Sequence, residues 1–220
     1  MAAVELETAN PYLDEYIAAI GEDYDWRNPN WWERDRSRKR DDFSEDAVKA
    51  DAERMIKRFG KFRNLRKVYA YAVPCDEALD AIATLSQIVE IGAGTGYWAR
   101  LLSERGADVT CYDTFESHFD GGMHGLYFEV RKGGPEKLRL KSNAGRTLFL
   151  CWPPYGDSMA NKCLANYRGD TLVYVGEGEG GCTADGKFHE ALYADWTEGR
   201  CITIPQWDLI HDYCWIYRRK

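Results

Sequence analysis

The chain has 220 residues, enough for one compact domain, and its apolar and charged fractions of 45% and 30% are those of a soluble globular protein. A formal net charge of -7 argues against tight non-specific binding to duplex nucleic acid, which needs a basic face. No apolar run approaches the roughly 20 residues of a membrane-spanning helix and the acidic N-terminus does not resemble a signal peptide, so we expect no membrane partner and a cytoplasmic location, with the nucleus or an organelle matrix as alternatives.

Residues 1–66 are expected to form a helical N-terminal extension or lid. Apolar spacing predicts one helix over 11–20, and Ser44 is expected to cap a second helix that ends at Gly60. A basic run between them has two interpretations: a lid that grips an anionic acceptor such as nucleic acid, or a solvated helix face. Its cations are Arg34, Arg36, Arg38, Lys39 and Arg40.

The stretch 88–102 combines a short apolar run, three alternating glycines and a helical apolar pattern. This order predicts strand, turn and helix, as at a nucleotide site, because glycine lets the backbone turn tightly and lets a ligand approach it. The glycines are Gly92, Gly94 and Gly96. Tyr97 stands where the dinucleotide fingerprint has its third glycine. Glu90 precedes the first glycine by two residues, which is unfavourable beside a pyrophosphate and tolerable beside a cation.

The next predicted strand covers 108–113 and ends in Asp113, about 20 residues after the glycine turn, where Rossmann-type sites place a carboxylate for ribose hydroxyls. The pattern of Glu90, alternate glycines and Asp113 resembles the class I S-adenosylmethionine-dependent methyltransferases, whose ligand carries a sulfonium and an ammonium. The resemblance implies that S-adenosyl-L-methionine is the cofactor, with Glu90 and the glycine backbone at its methionine portion and Asp113 at its ribose. The residues expected to bind the cofactor are Glu90, Gly92, Gly94, Gly96, Tyr97, Asp113 and Tyr71.

Tyr71 enters this set because, in the resembling family, the segment before the first strand closes over the methionine end of the cofactor. Tyr69 or Tyr71 could therefore line the site, and packing in the core is the alternative. After Asp113 the pattern weakens: one strand is expected near 126–130, and the third strand of the sheet is not located within 116–145.

A buried strand predicted over 147–151 ends in Trp152-Pro153-Pro154-Tyr155. This end resembles the Asp- or Asn-Pro-Pro-Tyr motif of amino methyltransferases that act on adenine or cytosine. There the acid or amide and a main-chain carbonyl accept hydrogen bonds from the target amino group, and the aromatic ring stacks on the base. Trp152 departs from the motif, because indole donates one hydrogen bond and accepts none. A rigid turn with two core aromatics is the alternative.

A fifth apolar strand, predicted over 171–175, leads into an acidic glycine-rich loop. Glu177 in this loop is the candidate for a general base or for orienting the acceptor, and a flexible acidic loop is the alternative. Strands predicted at 201–204 and 213–217 would form a closing antiparallel hairpin. The seven cysteines include no C-x-x-C pair and the four histidines are scattered, so we expect free thiols and no metal.

Together these elements predict an α/β, Rossmann-like sheet of about seven mainly parallel strands, with helices on both faces and an antiparallel C-terminal hairpin, over residues 67–220. The expected activity is methyl transfer to a small molecule or nucleobase. A nucleic-acid methyltransferase that uses the basic run and a non-catalytic cofactor-binding scaffold are the alternatives. The candidate catalytic residues are Tyr155, Glu177 and Trp152.

Overall fold

A computed structural model describes residues 9–21, 24–28, 43–116 and 125–220. The basic run at 34–40 lies outside these residues, so its predicted contact with nucleic acid stays a prediction. None of the helices in the described ranges combines the length and apolar character needed to cross a bilayer.

Two helices precede the sheet. Helix α1 (Pro11–Ile20) is capped by Asn10, whose side chain accepts a hydrogen bond from the Leu13 amide at 3.3 Å. Helix α2 (Glu45–Val68) is capped by Ser44, as predicted. The prediction that α2 ends at Gly60 is wrong, because burial of Phe62 and Leu65 outweighs the roughly 1 kcal/mol that glycine costs inside a helix.

The remaining elements alternate between helix and strand. In chain order they are α3 (Asp76–Ala83), β1 (Gln87–Ile91), α4 (Tyr97–Glu104), β2 (Asp108–Asp113), β3 (Val130–Lys132), two 3₁₀ helices (Pro135–Arg139 and Lys141–Asn143), β4 (Thr147–Cys151), α5 (Met159–Asn166), β5 (Thr171–Gly176), α6 (Gly186–Asp195), β6 (Trp196–Thr203) and β7 (Tyr213–Arg219).

The strands form one seven-stranded sheet in the order β3-β2-β1-β4-β5-β7-β6. The first five pair in parallel, and β7 runs antiparallel to both β5 and β6. The predicted sheet and its C-terminal hairpin are therefore confirmed. Because the chain places β2 and β3 on one side of β1 and β4 on the other, the carboxyl ends of β1 and β4 border a topological switch point, where open α/β sheets bind ligands.

Helices cover both faces of the sheet. On one face α1 to α4 pack against side chains such as Ile88 and Phe149, and on the other α5 and α6 pack against Val89 and Tyr174. The core on the first face includes Tyr12 and Tyr16 of α1, both fully buried. The expected domain boundary after residue 66 falls in the last turn of α2, a helix that packs into this same core.

Candidate functional site

The glycine-rich turn joins β1 to α4, as predicted. Gly92, Gly94 and Gly96 have φ angles of 80°, 54° and 73°, in the left-handed region that glycine enters without steric cost. The amides of Gly92 and Ala93 donate to the Tyr112 carbonyl at 2.8 Å and 3.1 Å, which fixes the turn beside the end of β2. The turn is therefore held against the sheet, and every second residue in it is a glycine without a side chain.

Asp113, the last residue of β2, holds the other side of this turn. Its Oδ2 accepts a hydrogen bond from the Gly94 amide at 2.8 Å, and its Oδ1 accepts one from the Phe115 amide at 2.6 Å. A carboxylate oxygen has two lone pairs, so each oxygen keeps one further acceptor position. Asp113 can consequently brace the turn and still accept hydrogen bonds from a ligand's hydroxyl groups.

Glu90 is 1% exposed and faces the cavity beside the turn. Its Oε2 has no hydrogen-bond partner in the described ranges. Burial, reinforced by the negative charge of Asp113, raises the pKa of the Glu90 carboxyl well above its ordinary value. Buried polar groups in native proteins are nearly always hydrogen-bonded, so this unpartnered oxygen marks a place where a cationic donor fits.

A cavity of about 590 Å³ opens at the carboxyl ends of β1, β2 and β4. Carboxylates outnumber cations in its lining, which makes the electrostatic potential favour a positively charged ligand. The acidic residues that line it are Glu90, Asp113, Glu116 and Asp157, and the basic residue among the described lining is Lys162. The described residues contain no cluster of three or more metal-binding side chains.

Aromatic rings form one wall of this cavity. Tyr71 and Trp152 stack with ring centroids 5.1 Å apart and an interplanar angle of 11°. The Trp152 Nε1 donates to Asp212 Oδ2 at 2.9 Å, and its backbone has a φ of 51°, which is uncommon for a bulky residue. Tyr155 lies at the rim and is 74% exposed. The indole is therefore held flat against Tyr71 by its hydrogen bond and by its backbone conformation.

Gly96 and Tyr97, both expected to contact the cofactor, lie behind the turn and do not line the cavity. A Cβ on Gly96 would come within 2.9 Å of Val130 Cγ2, so this glycine lets the start of α4 lie close to Phe128 and Val130. Tyr97 is fully buried; its hydroxyl donates to Asn10 Oδ1 at 2.9 Å and accepts from the Tyr12 amide at 3.2 Å. Its position in sequence puts it on the inner side of α4, away from the exposed backbone of the turn.

Glu177, the candidate for a general base or for orienting the acceptor, is only 5% exposed and does not line the cavity. Its Oε2 accepts from the Cys182 amide at 2.6 Å and its Oε1 from the His211 amide at 2.7 Å. The carboxylate joins its own loop to the segment before β7, because each supplies a backbone donor that needs an acceptor there. This geometry gives Glu177 no contact through which to take a proton from an acceptor in the cavity.

Several cavity residues were not singled out from the sequence. Gly133 and Gly134 follow β3, and Met159 and Lys162 lie in the first turns of α5. Each of these residues comes after the carboxyl end of a parallel strand, at the edge of the sheet where ligands bind. Their position after a strand, rather than their residue type, is the signal that could have identified them. The glycine pair was missed because β3 itself carries no apolar run.

No model of a protein family matches the chain, and no curated protein matches it. Among solved structures, it is similar to the 1,6-didemethyltoxoflavin-N1-methyltransferase of Burkholderia thailandensis, crystallised with 1,6-didemethyltoxoflavin and S-adenosylhomocysteine (17% identity, 65% of this chain and 78% of that chain, TM-score 0.43). It is also similar to the N-methyltransferase NodS of Bradyrhizobium japonicum (13% identity, 65% of this chain and 94% of that chain, TM-score 0.43). A third similar structure is the magnesium protoporphyrin IX methyltransferase of Synechocystis with bound S-adenosylhomocysteine (9% identity, 66% of this chain and 83% of that chain, TM-score 0.42).

Proposed function

We propose that the cavity binds S-adenosyl-L-methionine and that the protein transfers the methyl group to a small molecule or a nucleobase. The observation that carries this proposal is the buried, unpartnered Oε2 of Glu90 beside a glycine turn in an acidic cavity. An ammonium group placed there would supply the missing donor and balance a charge that burial alone disfavours.

The other ligand groups fit the remaining residues. Asp113 has acceptor positions left for ribose hydroxyls, and the glycine backbone leaves room for a ligand to lie against it. A dinucleotide fits less well, because its pyrophosphate would meet Glu90, Asp113 and the other carboxylates of the lining. A nucleoside that carries positive charge and no phosphate matches both the shape and the sign of the site.

The cofactor, when bound, supplies a methyl carbon activated by its sulfonium leaving group. The chain's contribution is then to hold this carbon in line with the nucleophilic atom of the acceptor and to exclude water. Glu90 and Asp113 would fix the two ends of the cofactor. The stacked rings of Tyr71 and Trp152 would form one wall of the space in which the methyl group is transferred. Glu177 would act only through the loop, by fixing the backbone of Cys182, which lines the cavity.

The acceptor side does not suit an exocyclic amino group. The side-chain acceptor of the resembling amino methyltransferases is missing here, since Trp152 offers only a donor, and that donor is already bonded to Asp212. Trp152, Tyr71 and the exposed ring of Tyr155 instead offer flat apolar faces. We therefore propose an acceptor with an aromatic or other planar body whose nucleophilic atom is not an exocyclic amine.

Calorimetric titration with S-adenosylhomocysteine tests the binding step. The wild-type protein should bind it, NAD⁺ should not displace it, and Asp113→Asn should weaken it about 10-fold or more through loss of a charged hydrogen-bond acceptor. Glu104→Gln on the outer surface of α4 is the matched control and should bind as the wild type does. Equal affinity for the Asp113→Asn protein, or displacement by NAD⁺, would contradict the proposal.

A separate measurement distinguishes an enzyme from a cofactor-binding scaffold. Methyl-labelled S-adenosylmethionine is incubated with the protein and a metabolite extract, and label in new extract components is followed. Label transfer that falls in Asp113→Asn supports catalysis. Binding without any transfer would favour the scaffold.

A further inference from the structure

A second cavity of about 500 Å³ lies on the sheet face that α5 and α6 cover, and it shares no lining residue with the first. Its floor is formed by side chains of β5, β7 and β6, and one side by α6. The residues that line it are Tyr174, Gly178, Glu179, His189, Leu192, Tyr193, Trp196, Thr197, Glu198, Trp215, Tyr217 and Lys220. The proposed methyl transfer uses none of them.

The floor of this cavity is a set of aromatic faces. Tyr174 and Trp215 are paired across β5 and β7, and their rings stack with centroids 5.5 Å apart and an interplanar angle of 15°. Tyr217 lies two residues further along β7, on the same face of the sheet. Trp215 and Tyr217 are only partly buried, so part of each ring remains available to a ligand.

Two exposed carboxylates stand beside these rings. Glu198 stands directly opposite Tyr217 in the ladder of β6 and β7, and Glu179 comes from the loop after β5. Burial and then the charge of Glu198 raise the pKa of the Tyr217 hydroxyl. Within the described ranges neither glutamate has a cationic partner.

Two basic residues lie nearby, and Lys220 is part of the cavity lining. Lys220 Nζ donates to the carbonyls of Tyr193 and Ala194 at 2.6 Å and 3.1 Å. The Arg219 guanidinium lies 4.4 Å from the ring centroid of Trp196 and donates to the Gly169 carbonyl. Within the described lining the aromatic floor is therefore flanked by two carboxylates and by one ammonium, which is held at the Tyr193 and Ala194 carbonyls.

We propose that this second cavity binds an organic cation, specifically the alkylated ammonium group of a small molecule. A cation over the face of Trp or Tyr is attracted by the ring quadrupole, most strongly when it is weakly hydrated. A methylated ammonium gives up less hydration than a primary one and covers the apolar parts of Trp215 and Tyr217, while Glu198 balances its charge. This site is independent of whether the first cavity binds S-adenosylmethionine.

Choline and its neutral carbon isostere, dimethylbutanol, test the proposal on the full chain. The two probes share shape and hydroxyl and differ in charge, and binding is followed by the NMR signal of fluorotryptophan at position 215. We expect saturable binding of choline with a Kd near or below about 10 mM and at least 10-fold weaker binding of the isostere. Equal binding of both probes, or no saturation by choline, would overturn the proposal.

Variants locate the site. Glu198→Gln should weaken choline binding about 3-fold or more, and Glu190→Gln, on the exposed side of α6, is the matched control and should leave it unchanged. For Trp215→Leu, calorimetry measures the affinity for choline and circular dichroism checks the fold. Glu198→Gln alters only an exposed carboxylate, so it keeps the test valid if Trp215→Leu does not fold. Unchanged choline affinity in Glu198→Gln would show that the charge plays no part and would refute the assignment.

Discussion

Two buried glutamates differ in how many of their carboxylate oxygens are hydrogen-bonded. Glu90 and Glu177 are 1% and 5% exposed. Both carboxylate oxygens of Glu177 accept backbone amides, whereas Oε2 of Glu90 accepts nothing within the described ranges. A carboxylate whose oxygens are all hydrogen-bonded stabilises the fold. A buried carboxylate with an unpaired oxygen lowers the free energy of unfolding, and proteins keep such a group mainly where a ligand supplies the missing hydrogen bond.

The first prediction concerns Glu90→Gln in the ligand-free protein. The pKa of Glu90 is raised in the folded state, so its contribution to stability is complete below the ordinary value of 4.5 and is lost as the pH rises through the raised pKa. Glutamine has the same shape and no charge. We therefore expect the free energy of unfolding of Glu90→Gln to exceed that of the wild type by an amount that grows above about pH 4.5.

Urea unfolding at several pH values measures this difference. Glu177→Gln is the matched control, and its sign is opposite: it should lower the free energy of unfolding by about 1.5–3 kcal/mol, because an amide can accept from only one of the two backbone donors. If Glu90→Gln were as destabilising as Glu177→Gln at neutral pH, Glu90 would be an ordinary structural residue.

At the scale of elements, the glycine turn does two separate things. Gly92 and Gly94 line the cavity, while Gly96 sits against the segment before β3. Alternation in the sequence showed that the backbone must turn at all three positions. It could not show which glycine faces a ligand, because that depends on Phe128 and Val130, which lie more than 30 residues later in the chain.

Gly96→Ala should destabilise the protein by about 2–4 kcal/mol. Its φ of 73° strains any residue with a Cβ, and that Cβ would lie 2.9 Å from Val130 Cγ2 and 3.3 Å from the Phe128 amide nitrogen. Gly106→Ala is the control: φ is 87°, nothing lies within 4 Å, and only the strain of about 1–2 kcal/mol remains. Equal losses in the two variants, measured by urea unfolding, would contradict the packing role of Gly96.

How far an element could be predicted depended on how much apolar surface it buries. Strands β1, β2, β4 and β5 lie within the sheet, and their apolar runs placed them within one or two residues. The strand expected near 126–130 is wrong except at Val130, because β3 covers Val130–Lys132 and two of its three residues are exposed cations that give no apolar periodicity. Strand β6 begins at Trp196, five residues before its predicted start, because its exposed edge residues carry no apolar pattern.

The same limit applied to the cavity. Glu90 and Asp113 could be predicted because the acids stand at fixed distances from the glycines. The orientation of Trp152 could not, since it depends on Asp212, 60 residues away, and on the ring of Tyr71.

At the scale of the whole molecule, the N-terminal helices are part of the core. Tyr16 packs edge-on against Trp207, with centroids 5.1 Å apart, and its hydroxyl donates to the Gln206 carbonyl at 2.9 Å. Arg58 of α2 joins the Ile20 carbonyl to Asp208. We therefore propose that the described parts of residues 9–66 fold together with the sheet as one unit rather than as a detachable lid.

Tyr16→Phe tests this integration. It removes one hydroxyl and leaves the buried Gln206 carbonyl without that donor, so we expect the free energy of unfolding to fall by about 1–3 kcal/mol in a single cooperative transition. Tyr193→Phe, at a position that is 70% exposed, is the control and should change stability by about 0.5 kcal/mol or less. A separate transition for the N-terminal helices, or no loss in Tyr16→Phe, would show that they are only loosely attached.

The assignment of the cavity to S-adenosylmethionine depends most directly on the pairing of Glu90 with an ammonium group. Calorimetry with S-adenosylhomocysteine and with methylthioadenosine, which lacks the amino-acid portion, measures that pairing in the wild type and in Glu90→Gln. We predict that the wild type prefers S-adenosylhomocysteine by about 10-fold or more and that Glu90→Gln loses most of this preference while its affinity for methylthioadenosine stays unchanged. An equal preference in both proteins, or no binding of either nucleoside to the wild type, would contradict it.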